Sequence, residues 1–360
     1  MPKIDALFKM MVDKGASDLH MVVGLPPMIR LHGDLYPLEG LPPLTPESSR
    51  ELLFEVMTDK QRELFVQNLD FDMAYEFAGV CRFRCNILNT RKGVQAVFRI
   101  IPTRIKTLPE LGMPDALRQL SELRQGLVLV TGPTGSGKST TLAAMIDHIN
   151  NTREAHVITI EDPIEFVHEN KRAVITQREV GTHATSFADA IKAAGREDPD
   201  VILVGEMRDL ETISLAISTS TFGVVVYATL HTNSAAGTVD RIIDSYPHEE
   251  QPQVRTLLAD SLKGIVAQQL LKTADGHGRC AANEVLIGSP ALSNLIREGK
   301  TFQIPSLIQT GQKEGMQSMD TCLLEFVRVR KVTPDAALEK AQDKMQFIKT
   351  LEKEGFKVEF

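Results

Sequence analysis

A glycine-rich segment follows the apolar run 127–130 and precedes a helix-like stretch at 140–149. Its sequence is Gly132-Pro133-Thr134-Gly135-Ser136-Gly137-Lys138-Ser139, which fits the pattern G-x-x-x-x-G-K-[ST] in the strand–loop–helix setting that this motif requires. The glycines leave backbone N–H groups free to turn toward phosphate oxygens, and the following helix adds its positive N-terminus. We expect Lys138 to reach the β- and γ-phosphates and the Ser139 hydroxyl to ligate Mg²⁺. The motif therefore predicts an α/β fold that binds a nucleoside triphosphate.

The bulk composition is typical of a globular protein with more than one domain. The chain has 360 residues, of which 42% are hydrophobic and 24% are charged, so two domains are the natural expectation. No apolar run approaches the roughly 18 residues that a membrane span needs, and residues 1–14 lack the apolar core of a signal peptide. We therefore expect a cytoplasmic protein.

The charge balance argues against nucleic acid as a partner. The formal net charge is −7, whereas phosphate-backbone binding usually leaves a basic footprint. A local basic stripe would still allow a DNA motor, so this alternative stays open.

The four cysteines, Cys81, Cys85, Cys280 and Cys322, are too few for a disulfide framework in a chain of this length. The first two would lie about 13 Å apart along a predicted strand, which is too far for a disulfide bond. No C-x-x-C pattern or histidine pair accompanies them to indicate zinc, and we expect reduced thiols.

Residues 1–101 are expected to form a separate α+β domain. The predicted elements are a helix at 4–12, short strands at 19–23 and 28–32, helices starting at Pro46 and near Thr58, a strand at 71–77, and a hairpin of 81–88 with 94–101. Residues 102–114 contain three prolines and are the predicted linker.

Residues 115–360 are expected to form an α/β nucleotide-binding domain. Continuous apolar or β-branched runs at 127–131, 156–160, 201–204 and 224–229 are typical of a parallel sheet covered on both faces. Helix-like stretches separate these runs, as in open α/β folds. After Pro247 we expect a mostly helical C-terminal part, from Gln251 to the end.

Acidic residues follow two of the predicted strands. Glu206 follows the run 201–204, where an acid can hold the Mg²⁺ shell or orient the attacking water. Glu161, Asp162 and Glu165 follow the run 156–160, also at the carboxyl edge of the sheet. These carboxylates could bind Mg²⁺ or accept a proton from water. The alternatives are a surface glutamate at a strand end and a cluster that caps a helix.

His231 follows the last predicted strand and could sense the γ-phosphate by hydrogen bonding, although a lone histidine is more often structural. The base is expected to be adenine, because a guanine-specific protein would normally carry N-K-x-D. The nearest string, Asn170-Lys171-Arg172-Ala173, lacks the aspartate.

Four segments, in this order, resemble the Walker A, Asp box, Walker B and His box motifs of the secretion and type IV pilus ATPases. They span 132–140, 160–165, 198–206 and 228–234. Residues 15–20 resemble the opening motif of that family, and 291–298 resemble a C-terminal segment typical of its pilus retraction members. The resemblance extends from about residue 3 to residue 330.

The resemblance implies a PAS-like N-terminal domain, a RecA-like P-loop ATPase domain, and a hexameric ring with ATP and Mg²⁺ between subunits. By matching positions, Lys138, Ser139 and Thr140 would bind phosphate and Mg²⁺. Glu165 would be the general base, Glu206 would hold the magnesium shell, and His231 would couple the nucleotide state to the shape of the subunit.

Members of this family also supply arginines from the N-terminal domain to ATP. The matching residues here are Arg84 and Arg99, on the paired strands of the predicted hairpin. Arginines that spread over the transition-state oxygens would make hydrolysis depend on assembly. The alternative is that both arginines are solvated strand ends.

Three segments depart from the family pattern. Thr221-Phe222-Gly223-Val224 stands where relatives usually carry Glu-Thr-Gly-His, Ser293 replaces a common arginine, and 194–197 replaces a Leu-Arg-Gln stretch. The first two lie in parts implicated in coupling and retraction.

The favoured function is a hexameric ATPase at the inner face of the cytoplasmic membrane that drives type IV pilus retraction. It would act with an inner-membrane platform protein, and a paralogous pilus ATPase could share the work. Assembly and type II secretion ATPases are less favoured, because they generally add a long N-terminal extension and a four-cysteine zinc element. The alternatives are a catalytically degenerate accessory subunit and a DNA-translocating motor.

Overall fold

The computed structural model describes residues 2–31, 33–101 and 103–357. It divides into two compact units, which are Met1–Arg104 with Pro163–Val167, and Ile105–Asp162 with His168–Phe360. Some predicted boundaries lie outside the described residues. They are the end of the predicted strand at His32, the start of the predicted linker at Pro102, and the two ends of the chain at Met1 and 358–360.

The N-terminal unit is built on a six-stranded antiparallel sheet with the strand order β3-β2-β1-β6-β5-β4. Its elements are α1 (Asp5–Asp13), β1 (Asp18–Met21), β2 (Met28–Leu31), β3 (Asp34–Pro37), α2 (Pro46–Glu55), α3 (Asp59–Asn68), β4 (Asp70–Phe77), β5 (Cys81–Thr90) and β6 (Gly93–Ile101). The predicted helices and the β5–β6 hairpin are confirmed, and β3 was not predicted.

The core of this unit lies between α1 and the sheet. Phe8 on the buried face of α1 stacks on Phe83 of β5 with 4.3 Å between ring centroids, and lies edge-on to Phe98 of β6 at 4.9 Å. Such aromatic pairs add to the stabilisation from buried apolar area. The starts of α2 and α3 are fixed by capping boxes at Thr45 and Thr58, which satisfy backbone donors at the helix ends.

The C-terminal unit is built on a seven-stranded sheet with the order β13-β12-β7-β11-β10-β8-β9. All neighbouring strands are parallel except β12 and β13. Its elements are α4 (Asp115–Ser121), β7 (Gly126–Thr131), α5 (Lys138–Thr152), β8 (His156–Glu161), β9 (Val174–Glu179), α6 (Phe187–Ala194), β10 (Val201–Val204), α7 (Leu210–Ser220), β11 (Val225–Leu230), α8 (Ala235–Asp244), α9 (Gln251–Ser261), β12 (Leu262–Lys272), β13 (Arg279–Ile287), α10 (Pro290–Arg297), α11 (Ile304–Thr310), α12 (Met319–Arg328), α13 (Pro334–Lys340) and α14 (Lys344–Lys353).

The four predicted core strands are confirmed as β7, β8, β10 and β11, and β7, β10 and β11 are buried along their whole length. The predicted α/β class is therefore correct. The expectation of helix from Gln251 onward is wrong for β12 and β13, which extend the sheet at one edge. These strands contain Ala, Leu, Gln and Glu, which favour helix in isolation, and the pairing with β7 overrides that preference.

All four cysteines are free and buried, in agreement with the expected reduced thiols. None of the helices that the structure describes combines the length and apolar character required to cross a lipid bilayer.

Candidate nucleotide-binding site

The expected P-loop, Walker B and His-box residues of the C-terminal unit lie at one edge of its sheet. The P-loop follows β7, Glu161 ends β8, Glu206 follows β10, and His231 follows β11. The pairings Val204↔Ile160 and Val204↔Ala228 align the ends of β8, β10 and β11. The carboxyl ends of parallel strands in open α/β sheets form a common ligand-binding edge.

The P-loop requires glycine at two positions. Gly132 has a φ of 146° and Gly137 has a φ of 88°, both in the region that favours glycine. A Cβ atom at Gly132 would collide with the carbonyl oxygen of Gln268, and one at Gly137 would lie 2.9 Å from Gln268 Nε2. The loop backbone therefore packs directly against β12.

Gln268 on β12 contacts the P-loop and the start of α5 through its side-chain amide. The sequence analysis did not identify this residue. Its side-chain Nε2 donates to the carbonyl oxygen of Ser136 at 2.5 Å, and its Oε1 accepts from Thr141 Oγ1 at 2.8 Å. Gln268 is only 1% exposed. The signal in the sequence was the pair Gln268 and Gln269 within the otherwise apolar run 265–271. A buried side-chain amide must find hydrogen-bond partners.

The P-loop residues fit an anionic group. Helix α5 begins at Lys138 without a side-chain cap, so the N–H groups of its first turn, which include Ser139 and Thr140, remain for an acceptor. Pro133, Thr134 and Gly135 are exposed. Ser136 Oγ is buried and has no hydrogen-bond partner among the described residues. The charge and the donors suit a polyphosphate.

The side chains of Lys138 and His231 lie next to each other beside the P-loop. The Lys138 ammonium donates to the carbonyl oxygens of Gly132 and Pro133 at 2.8 and 3.1 Å, and lies 3.5 Å from His231 Nδ1. His231 Nε2 lies 2.9 Å from Glu206 Oε1. An imidazole ring with its proton on Nε2 can donate to Glu206 and accept from Lys138 at the same time.

Glu206 is held in the ionised form by its neighbours. Its Oε2 lies 2.8 Å from Arg208 Nη2, and Arg208 Nη1 lies 3.6 Å from Asp162 Oδ2. Burial raises the pKa of the Glu206 carboxyl, but Arg208 and His231 outweigh burial and hold this pKa below its usual value. A carboxylate held in the ionised form can attract a cation such as Mg²⁺.

Glu161 is hydrogen-bonded to a residue of its own strand, β8, and to one of the neighbouring strand β9. Its Oε1 accepts from Thr159 Oγ1 at 2.7 Å and from Gln177 Nε2 at 3.3 Å. Gln177 belongs to β9, which the sequence analysis did not predict. Glu161 therefore lies at the strand edge with its carboxylate oriented by two donors.

Glu165, expected as the general base, belongs to the segment Pro163–Val167 that clusters with the N-terminal unit. Its Oε1 lies 3.4 Å from Arg84 Nη1. The structure thus brings Arg84 and Glu165 together.

Arg84 and Arg99 lie directly opposite each other on β5 and β6. Like charges in this position are destabilising unless they are compensated. Arg99 Nε donates to Asp18 Oδ1 at 2.7 Å, and the Asp18 side chain is 4% exposed. Burial raises the pKa of Asp18, but hydrogen bonds from Ser17 and Arg99 outweigh burial and lower it below the usual value. Arg99 is therefore anchored to a buried carboxylate, while its own side chain is 70% exposed.

The positions that depart from the family pattern have local contacts. Thr221 Oγ1 donates to the carbonyl oxygen of Ser218 at 2.7 Å at the end of α7. Ser293 Oγ on α10 donates to the carbonyl oxygen of Ala259 on α9 at 2.6 Å. Val224 packs against the hydrophobic core of the C-terminal unit.

The chain matches known proteins along nearly its whole length. The family model described as "Type II/IV secretion system protein" matches residues 2–358. The "Type IV pilus retractation ATPase PilT" of Pseudomonas aeruginosa is 50% identical over 339 residues, which is 94% of this chain and 98% of the relative. A "Twitching motility protein" of Neisseria gonorrhoeae is 52% identical over 317 residues, which is 88% of this chain and 84% of the relative.

A crystal structure of the pilus retraction motor PilT with bound ADP has a TM-score of 0.89 and 45% identity, and covers 96% of this chain and 98% of that chain. The likeness supports the α/β architecture and the P-loop ATPase class that the four motifs predict. The chain belongs to the type II/IV secretion system protein family, as a homologue of the PilT retraction ATPases.

Proposed function

We propose that this chain is an ATP-hydrolysing motor that powers type IV pilus retraction and twitching motility. The observation that carries the proposal is the line of contacts Lys138–His231–Glu206 at the P-loop edge, in a homologue of a pilus retraction ATPase. The site supplies cationic and N–H donors for phosphate oxygens beside a carboxylate held ionised.

Each part of the site has a proposed role in hydrolysis. The P-loop, residues 132–140, binds the phosphates, with Lys138 as the cationic donor. Ser139 and Glu206 hold Mg²⁺, which neutralises charge on the β- and γ-phosphate oxygens when it is bound. His231 contacts both Lys138 and Glu206, and is therefore placed to respond to the presence of the γ-phosphate.

Proton transfer is assigned to the acidic cluster that follows β8. Glu165 is proposed as the general base for the attacking water, and Glu161 supports it electrostatically from the end of the strand. Arg84 contacts Glu165 in the isolated chain. In this proposal Arg84 leaves Glu165 in the assembled ring and instead contacts the phosphate oxygens of ATP bound by a neighbouring subunit. Arg99, anchored by Asp18, supports Arg84 from the adjacent strand.

The proposed assembly is a homo-hexameric ring with ATP between subunits. Residues 1–101 form a PAS-like domain, 102–114 the linker, and 115–360 the RecA-like ATPase domain. The ring works at the inner face of the cytoplasmic membrane on a platform protein of the pilus, with or without a paralogous ATPase, and no nucleic acid is required. Since most soluble homo-oligomers close with point-group symmetry, one repeated interface would form every site.

Two measurements test this function. Phosphate release by the purified chain should be abolished by Lys138→Ala and by Glu206→Ala, and undiminished turnover would refute the site. Deletion of the gene in its host should give hyperpiliated cells that do not retract pili. Cells without pili would indicate an assembly motor instead.

A second candidate function is an accessory subunit that binds nucleotide in a mixed assembly. The departures at Thr221, Val224 and Ser293 favour it, because they lie in segments that the family uses for coupling and retraction. Appreciable ATP turnover by the isolated homo-oligomer would exclude this role.

A further inference from the structure

Glu284 is a buried carboxylate outside the P-loop that contacts two distant parts of the C-terminal unit. It lies on β13 and is 4% exposed. Its Oε1 accepts from the backbone N–H of Ala235 at 2.7 Å, and its Oε2 accepts from Gln342 Nε2 at 2.9 Å. Burial raises the pKa of Glu284, and the donors from Ala235 and Gln342 oppose that effect. A buried carboxylate depends on such donors, because an uncompensated one is strongly destabilising.

The first contact reaches the segment that carries His231. Ala235 is the first residue of α8 and directly follows residues 231–234. Thr238 in the first turn of α8 lies 2.6 Å from Thr232, Oγ1 to Oγ1, and also donates to the carbonyl oxygen of Ser234 at 2.7 Å. The start of α8 and the His231 segment are therefore tied together, and the Glu284 carboxylate lies at the positive end of that helix.

The second contact reaches the C-terminal helices. Gln342 lies in the turn between α13 and α14, and the backbone N–H groups of Gln342 and Asp343 donate to Asp320 of α12 at 2.7 and 3.0 Å. Helices α12, α13 and α14 share one apolar cluster with β12 and β13. The turn is therefore held by Asp320 on one side and by Glu284 on the other.

We propose that Glu284 is a positioning residue that couples the nucleotide state sensed at His231 to helices α13 and α14. The inference rests on the proposed function, since ATP must act on His231. When the 231–235 segment shifts on nucleotide binding, the Ala235 donor moves relative to Glu284. The carboxylate then shifts its contact with Gln342, and the turn between the two helices moves with it.

Hydrogen exchange with and without Mg²⁺–ATP tests the coupling directly. In the wild-type protein we expect nucleotide to change exchange in three peptides, 132–141, 231–238 and 334–353. In Gln342→Ala the change at 334–353 should be lost while the changes at the other two peptides remain. The matched control is Gln346→Ala, an exposed glutamine on α14, which should keep all three changes.

The outcomes separate this inference from the proposed function. An unchanged nucleotide response at 334–353 in Gln342→Ala, or none there in the wild-type protein, would overturn the role of Glu284. No response at 132–141 in the wild-type protein would overturn the ATP site itself, and the coupling with it.

Steady-state kinetics distinguish positioning from a merely structural role. Glu284→Met keeps the volume but accepts neither hydrogen bond, and should lower kcat about tenfold with little change in KM. Glu284→Gln still accepts from Ala235 and should retain most of the activity. In a His231→Ala background Glu284→Met should have no further effect on kcat. Equal losses in both backgrounds, or full activity of Glu284→Met, would contradict the proposal.

Discussion

His231 and Glu206 are joined across two neighbouring parallel strands, with 2.9 Å between Nε2 and Oε1. His231 follows β11 and Glu206 follows β10, so the contact joins the ends of two core strands. On its other side the His231 ring lies 3.5 Å from the Lys138 ammonium. A change at the P-loop lysine can therefore reach the Walker B carboxylate through one side chain.

Removal of the imidazole should separate nucleotide binding from hydrolysis. His231→Ala leaves the P-loop donors in place but removes the side chain that contacts both Lys138 and Glu206. We expect kcat for ATP to fall about 10- to 100-fold, with the binding of fluorescent ATP changed by less than about threefold. His277→Ala, in an exposed turn, is the control. Equal losses of ATP affinity and of kcat would show that His231 contributes to ATP binding and not specifically to the hydrolysis step.

Loss of the buried Gln268 amide, which contacts the P-loop, should weaken ATP binding. Gln268→Leu has a similar size but leaves the Ser136 carbonyl and the Thr141 hydroxyl without their partner, and a buried group left unpaired costs about 1–3 kcal/mol. We expect the Kd for ATP to rise about tenfold, as measured by titration with fluorescent ATP. Gln269→Leu on the same strand, which removes a long 3.4 Å hydrogen bond from Nε2 to the carbonyl oxygen of Lys340, should bind ATP normally. Unchanged affinity in Gln268→Leu would refute this role.

The Asp18–Arg99 pair should make stability depend on pH in a defined direction. The pKa of Asp18 is lowered in the folded protein, so its contribution is present above the pKa of about 3.9 in the unfolded chain. That contribution is lost as the pH falls through the folded pKa. Asp18→Asn should reduce the free energy of unfolding at pH 7 by about 2 kcal/mol, and the difference from wild type should shrink at pH 3.

Urea unfolding at both pH values measures this difference. Asp34→Asn, on the exposed strand β3, is the control and should unfold like the wild type. A deficit in Asp18→Asn that is as large at pH 3 as at pH 7 would show that the ionised pair is not the cause.

Local pattern predicted the parallel core and the P-loop, because their signals lie within single short segments. Apolar runs such as 201–204 are long enough to indicate a buried strand, and the glycines of the P-loop are required by its backbone. The sequence analysis placed Glu206 and His231 after separate core strands. Their contact was not predicted, because it depends on the pairing of β10 with β11.

The features that sequence reasoning missed depend on distant partners. β12 and β13 contain residues that favour helix, and only pairing with β7 makes them strands. Gln268 shows its role only through contact with a loop more than a hundred residues earlier. The environment of Arg99 was equally invisible, because Asp18 lies opposite it through the register of β1 and β6.

Subunit complementation tests most directly whether hydrolysis needs arginine from a neighbouring subunit. Lys138→Ala subunits lack the P-loop cation but keep Arg84, whereas Arg84→Ala subunits keep the P-loop but lack the arginine. Each variant alone should release phosphate at a small fraction of the wild-type rate. In rings reassembled from an equimolar mixture, an active interface needs the P-loop of an Arg84→Ala subunit and the arginine of a Lys138→Ala subunit. About half of the subunits supply each, so about a quarter of the interfaces should regain activity. A mixture no more active than its components would contradict the account.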